Sequence, residues 1–271
     1  IVVRLVGSEM CIRDSSRVEV DFTDLESLTS KIKDISPNYI IHSAVSLENF
    51  ENNIRMFYAL ENVASLVDKI ILIGSGAEYI SARYKPVMKE DYFPQEPVYP
   101  VDIYTLSKYT ISKLLSTSNA NNIYNLRVFG IYGPYEDFQR RLISNNLVRN
   151  LNNMPLQYNR NVAFDYLYID DFLSAIDRFL SLEKPLQNTY NLCVGKAYKF
   201  KEIMETTAEV VGIDLSDIIL KDPTPSNYEY SGDPTLIENE IGKIEQTKLV
   251  DAITSLYSWY KNQDLNSLKL N

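Results

Sequence analysis

Two side chains four residues apart, in Tyr104-Thr-Leu-Ser-Lys108, offer the clearest chemistry in this sequence. On a helix that spacing sets a phenol and an ammonium on one face, one turn apart. The ammonium charge favours phenolate, so it draws the tyrosine pKa down from about 10 towards working pH and makes the phenol a usable general acid and base. Alone the pattern is common, and an exposed pair on a helix accounts for it. A second candidate lies upstream, where the apolar run Lys69 to Ile73 leads into Gly74-Ser75-Gly76-Ala77-Glu78-Tyr79. A small-residue turn at the carboxyl end of a strand is where α/β proteins place ligands. Taken alone, Ser75 reads as a turn serine. His42, the one histidine, ends another apolar run, and its plain reading is a satisfied strand-end side chain.

Such residues meet only if strands and helices alternate, and from Ser16 onward they do. Strands are predicted at Arg17 to Val20, Tyr39 to His42, Lys69 to Ile73, Tyr124 to Val128 and Thr189 to Cys193. Helices are predicted at Asp24 to Asp34, Phe50 to Val67, Val101 to Ser116, Phe138 to Asn152, Asp170 to Leu182, Phe200 to Val211 and Lys248 to Tyr260. Lys85 to Pro100, with Pro86, Pro94, Pro97 and Pro100, reads as a long loop of the kind that covers a site. Asp222 to Pro234, with Pro223, Pro225, Gly232 and Pro234, reads as a second irregular stretch. Asp170 and Asp171 open a helix, where N-capping explains them.

Composition excludes several classes. The 271 residues are 45% hydrophobic and 23% charged, and no run approaches the roughly 18 apolar residues of a membrane span. A net charge of −9 without a basic stretch argues against a nucleic-acid partner. Two cysteines and one histidine build neither a disulfide framework nor a zinc cluster, so no metal is expected, and a reducing cytoplasm is the default location. Residues Leu5 to Ser15, LVGSEMCIRDS, resemble the translation of a transposon-type sequencing adapter. The alternative is an apolar first strand, IVVRLVG, and a turn. On the adapter reading residues 1–15 are an artefact, the native sequence begins near Ser16, and Cys193 is its one cysteine, a core thiol.

Several further stretches carry a family resemblance. Ile40-Ile-His42-Ser-Ala44, Asn53, Val20-Asp21-Phe22-Thr-Asp24, Leu126-Arg-Val-Phe-Gly-Ile-Tyr-Gly-Pro134, Phe164-Asp-Tyr-Leu-Tyr-Ile-Asp170-Asp171, Tyr190-Asn-Leu-Cys-Val-Gly195 and Leu256-Tyr-Ser-Trp259-Tyr260, with Ser75 four before Tyr79 and the Tyr104/Lys108 pair, resemble the extended short-chain dehydrogenase/reductases of the NAD-dependent epimerase/dehydratase kind. The resemblance implies an α/β fold with a Rossmann-type doubly wound parallel sheet. It implies NAD or NADP as cofactor, contacted by Asp21, Phe22, His42, Ala44, Asn53, Tyr104 and Lys108. Ser75, Tyr104 and Lys108 are then catalytic: Ser75 orients the reacting oxygen, Tyr104 moves its proton, and Lys108 holds the ribose and depresses the Tyr pKa. Ser75, Gly76, Ala77, Gly130, Arg160 and Phe164 are assigned to a sugar substrate, nucleotide-linked, and the relatives suggest a homodimer through the helices at Phe50 to Val67 and Val101 to Ser116.

The pattern also departs from the family. No G-x-G-x-x-G is present, although that turn holds the cofactor pyrophosphate. The adapter reading accounts for this: two strand-helix units of roughly 30 residues each are missing from a sheet of order 3-2-1-4-5-6. The division expected is then 1–15 artefact, 16–135 the remainder of the dinucleotide-binding part, and 136–271 mainly a smaller α/β substrate-binding part. The 4,6-dehydratases of the family carry Thr-Asp-Glu at the catalytic turn, where Ser75, Gly76 and Ala77 stand here, so dehydration is not expected. Phe164 replaces the Arg that binds the nucleotide diphosphate and Gly130 an Asn; Arg160, Arg140 or Arg141 are candidates for the missing charge. What remains is C4 epimerisation or 4-keto reduction in the full-length protein. The rival is a catalytically silent cofactor-binding or sensing protein of the same superfamily.

Overall fold

The computed structural model describes residues 20–92, 102–264 and 267–270, together with two short strands, β1 (Val2–Val3) and β2 (Arg13–Asp14), which pair antiparallel. The adapter reading and the strand predicted at Arg17 to Val20 therefore fall largely outside the described residues, as do Pro94, Pro97 and Pro100 of the proline loop. Val20 itself is buried, in a core cluster with Phe22.

From there the chain alternates as the pattern predicts. α1 (Leu25–Ile35) leads to β3 (Tyr39–His42), α2 (Phe50–Val63) to β4 (Lys69–Ser75), and α3 (Ile103–Leu115) to β5 (Ile123–Val128). The helices start where side chains accept from open backbone N–H groups: Asp24 for α1, Asn49 for α2 and Asp102 for α3. α2 buries Met56, Phe57, Leu60 and Val63 at helical spacing, each contributing on the order of 2 kcal/mol. These side chains pack with Ile40, Ile70, Leu72 and Ile123 on one face of the sheet.

The second half runs through β6 (Gly130–Tyr132), α4 (Leu142–Leu151), β7 (Gln157–Arg160), β8 (Ala163–Tyr168), α5 (Ile169–Ser181) and β9 (Thr189–Leu192). It continues with β10 (Ala197–Lys199), α6 (Phe200–Val211), β11 (Ile219–Asp222), β12 (Glu229–Tyr230), α7 (Thr235–Ile241) and α8 (Leu249–Lys261). β3, β4, β5 and β9 form a parallel sheet in that order. Every residue of β5 is buried, as a parallel strand covered on both faces must be. The other face carries Phe172, Ile176 and Phe179 of α5 with Tyr190 and Leu192.

A second sheet centres on β8, which pairs with β6, β10 and β12; β7 and β11 form a separate parallel pair. The stretch read as irregular, Asp222 to Pro234, contains β12 and a bridge from Gly232 to Met88. α4 begins four residues later than predicted, after a turn at Asp137 to Arg140. Asp170 and Asp171 do not cap α5; Asp171 instead accepts from Thr247 N–H and Oγ. Cys193 is buried, and burial pushes its thiol pKa up.

Candidate active site

The Ser75 turn is set by its own sequence. Ser75 N–H donates to Glu78 Oε1 (3.2 Å) and Ala77 N–H to Ser75 Oγ (3.1 Å), a capping box spelled Ser75-Gly-Ala-Glu78. Glu78 is fully buried and accepts from Arg127 Nε at 2.7 Å and from Asn125 Nδ2 at 3.1 Å. Arg127 also donates to Tyr79 Oη (2.8 Å), Ser112 Oγ (2.8 Å) and Glu90 O (2.9 Å). The turn is thus fastened to β5 and α3 by one buried ion pair. Gly74 permits the close approach: a Cβ there would stand 2.0 Å from Asn125 Oδ1.

α3 packs against this turn and brings Tyr104 beside it. The expectation that Lys108 draws the Tyr104 pKa down is not met. Burial pushes the phenol up, with Ser75 and Arg141 opposing and Glu78 and Asp102 adding to the rise. Lys108 Nζ lies 5.8 Å from the Tyr104 ring centre and donates to Ile73 O. Burial lowers its own pKa, with Glu78 opposing.

Beneath Lys108 is a narrow pocket of about 20 Å³, lined by His42, Ala44, Asn53, Ile73, Glu78 and Lys108 among others. His42 is buried with Nδ1 unpartnered. Burial, then the Lys108 charge, lower its pKa to about 3, so it stays neutral. Asn53 is buried in the first turn of α2, which Asn49 caps. It ties the preceding loop to α3, bonding Ser46 N (2.7 Å), Ser46 O (2.8 Å) and Ser107 Oγ (2.8 Å). A neighbouring recess is lined by Asp21, Phe22, Thr23, Ala44, Ser46, Asn52 and Met56. All five residues assigned to the cofactor by resemblance alone line one or other of these two adjoining pockets.

The substrate assignments divide. Phe164 lines a polar cleft of about 440 Å³ with Arg140, Arg141, Arg149, Lys221 and Tyr166. Arg160 does not. It turns to Thr224 O (3.2 Å), Pro225 O (3.1 Å) and Asp222 (3.7 Å), because β7 pairs with β11 and carries it to that end. Gly130 is explained by packing: in register with Tyr166, its Cβ would come 2.6 Å from Asp165 O. Gly76 and Ala77 belong to the Ser75 turn.

The sequence description of the NAD dependent epimerase/dehydratase family fits residues 3–193. The chain belongs to that family. A curated relative, the ADP-L-glycero-D-manno-heptose-6-epimerase of Brachyspira hyodysenteriae, is 29% identical over 124 residues, 41% of this chain and 38% of that protein. The match thus spans well under half of the curated relative's length. Among solved members of similar fold, the dTDP-glucose 4,6-dehydratase of Bacillus anthracis, in complex with NAD, has a TM-score of 0.76 at 20% identity, covering 92% of this chain and 81% of its own. The UDP-glucose 4-epimerase of Thermotoga maritima, with UDP-glucose, has 0.76 at 17%, covering 92% and 84%. At such identities the likeness is one of fold, and it bears out the α/β, Rossmann-type reading.

Three features of the site escaped the sequence reading. Glu78 was announced by the Ser-x-x-Glu spacing, and Arg127 by a charge inside an apolar strand. Tyr230, whose phenol oxygen would stand 2.6 Å from a Cβ at Gly76, had no local signal. Among the described residues no His, Cys, Asp or Glu cluster is placed to hold a metal, and no helix is long and apolar enough to cross a membrane.

Proposed function

We propose that the protein performs C4 epimerisation or 4-keto reduction on a nucleotide-linked sugar with NAD or NADP. The observation that carries the reading is that Glu78, which lines the His42/Lys108 pocket, and Arg141, which lines the cationic Phe164 cleft, both act on the Tyr104 phenol, with Lys108 5.8 Å from its ring centre. Lys108, His42, Ala44 and Asn53, with Asp21 and Phe22, would hold the cofactor, and the unpartnered His42 Nδ1 is a buried polar atom suited to a ligand there. The bound nicotinamide supplies hydride exchange with the sugar carbon. Ser75 holds the sugar oxygen, and Tyr104 takes or returns its proton. Arg140, Arg141, Arg149 and Lys221 supply positive charge for a diphosphate in place of the expected Arg160, in a cleft large enough for a nucleotide. Gly76 and Ala77 offer no acidic pair for eliminating water.

Tyr104→Phe, in a protein that carries a dinucleotide-binding glycine turn, is expected to lower turnover about 100- to 10,000-fold while dinucleotide affinity stays within about twofold. Absorbance of the reduced cofactor against a panel of nucleotide-linked hexoses and 4-ketohexoses reads the first, and titration calorimetry the second. Activity within a few-fold of the unsubstituted enzyme would remove Tyr104 from the mechanism. The silent, cofactor-sensing alternative is favoured by the raised Tyr104 pKa and the engagement of Lys108 with Ile73. It is the reading left if no member of the panel is turned over.

A further inference from the structure

The ribbon of β7 and β11 supplies part of the cleft that Phe164 lines. Its register sets Gln157 opposite Ile219 and Tyr158 opposite Leu220, so Lys221 falls beside Asn159. Side chains alternate along a strand, which puts Gln157, Asn159 and Lys221 on one face of the ribbon and Arg160 and Asp222 on the other. The first three line the cleft. Arg160 and Asp222 turn to each other at 3.7 Å, so the acid next to Lys221 in sequence is engaged elsewhere.

Gln157 is fixed from α4. Asn146, buried on that helix, accepts from Gln157 N–H (2.7 Å) and donates to Gln157 O (2.9 Å) and Leu142 O (2.8 Å). Arg149, three residues on, is steadied by Nε–H donating to Pro155 O (2.7 Å), which leaves its terminal nitrogens to other partners. Arg149 Nη1 and Lys221 Nζ face the same atom of the Gln157 amide, at 3.1 and 3.3 Å. Both are donors only, so that atom is the amide oxygen. Two cations thus converge on one neutral oxygen. Among the described residues neither is paired with a carboxylate, in a chain whose net charge is −9. Like charges held this close repel each other, and each keeps N–H groups that Gln157 does not use. An anion between them offsets the repulsion and takes up those donors.

We propose that Arg149 and Lys221, held by Gln157, form a phosphate subsite in this cleft, which takes a phosphoryl group of the substrate's diphosphate. Gln157 is a positioning residue, acting through the two cations. This deepens the proposed function and rests on it only for the source of the phosphate.

Titration calorimetry of the 271-residue chain with inorganic pyrophosphate and with UDP tests the assignment. Arg149→Met and Lys221→Met should each weaken pyrophosphate binding about tenfold, the worth of a hydrogen bond to a charged group. Gln157→Glu gives both cations a carboxylate without changing the shape, and should weaken pyrophosphate about 100-fold while the urea midpoint does not fall. It applies should a cation variant fail to fold. Arg160→Met removes the same charge from the other face of the ribbon and should change affinity less than about twofold. UDP binding that is tighter than pyrophosphate and lost in the same variants assigns the phosphate to a nucleotide. Equal affinities assign it to any phosphorylated group, and the subsite stands in both cases. Pyrophosphate bound by Gln157→Glu as tightly as by the unsubstituted chain overturns the subsite. So does a loss with Arg160→Met equal to that with Lys221→Met, which would mark a diffuse field, and so does no heat with either probe at about 10 mM. None of these readouts involves Tyr104 or the dinucleotide, so the subsite can fall while turnover still depends on Tyr104, and the reverse.

Discussion

Arg127→Met is the substitution on which the architecture of the site can be tested most severely. Methionine retains much of the apolar stem and removes the guanidinium. Left behind are the Glu78 carboxylate, with its side chain 1% exposed, and the partners at Tyr79, Ser112 and Glu90. Four lost hydrogen bonds at about 1 kcal/mol each, with the carboxylate bond worth more, come to about 4–5 kcal/mol. Stranding one partner of a buried ion pair costs a similar 3–5 kcal/mol. Domains of this kind are stable by only about 5–15 kcal/mol, so the variant should sit near the limit of folding. Urea unfolding at neutral pH, followed by circular dichroism, reads the difference. Adding Glu78→Gln removes the stranded charge and should recover roughly half of the loss. A cost for the single variant below about 1 kcal/mol, the worth of an exposed pair, would refute the view that this ion pair holds the Ser75 turn.

Three further outcomes are expected. Burial raises the Glu136 carboxyl pKa to about 7, with Ser144 and Arg141 opposing. A carboxyl raised on folding adds stability that is complete below its unfolded pKa and lost as pH rises through about 7, so Glu136→Gln should gain about 2 kcal/mol over the unsubstituted protein in urea unfolding at about pH 8 and nothing at about pH 4; equal gains at both would remove Glu136 as the cause. Because no G-x-G-x-x-G is present, the 271-residue chain should bind NAD+ and NADP+ more weakly than about 1 mM by titration calorimetry, and micromolar affinity would show that the glycine turn is dispensable. The protein should scatter light as a dimer, paired through α2 and α3, and a monomer at micromolar concentration would contradict that arrangement.

The helices and the parallel strands were legible because their burial is periodic. α2 and α6 carry apolar stripes, and β3 and β4 are apolar runs ending in turns, so their types and most of their boundaries could be read from spacing. The second sheet was not. β7 and β10 are short and polar at alternate positions, and β12 is two residues long in a proline-bearing stretch, so only pairing with distant partners makes them strands. The site divides in the same way. Ser75, Tyr104 and Lys108 were visible because turn and helix geometry are local. The direction of the Tyr104 pKa was not, since it depends on burial by groups far along the chain. Arg160 failed for a related reason: its side chain follows the β7–β11 pairing, which nothing in its own neighbourhood announces.

The bonds from Ser231 and Asp233 to Val87 and Met88 also order events in time. The turn at Ser75 and the helix bearing Tyr104 are made early in synthesis, whereas the strand that seals them is made late. Until the ribosome has passed residue 233, Met88 lacks the cover that buries it completely, and Ser75 lacks one of its neighbours. Contacts between segments so distant in sequence form slowly, since a large loop must close first. A nascent chain therefore holds the Ser75 turn and Tyr104 before Tyr230 has been made, and every chain released before that point leaves Tyr84, Phe129 and Phe164 without the ring that packs among them.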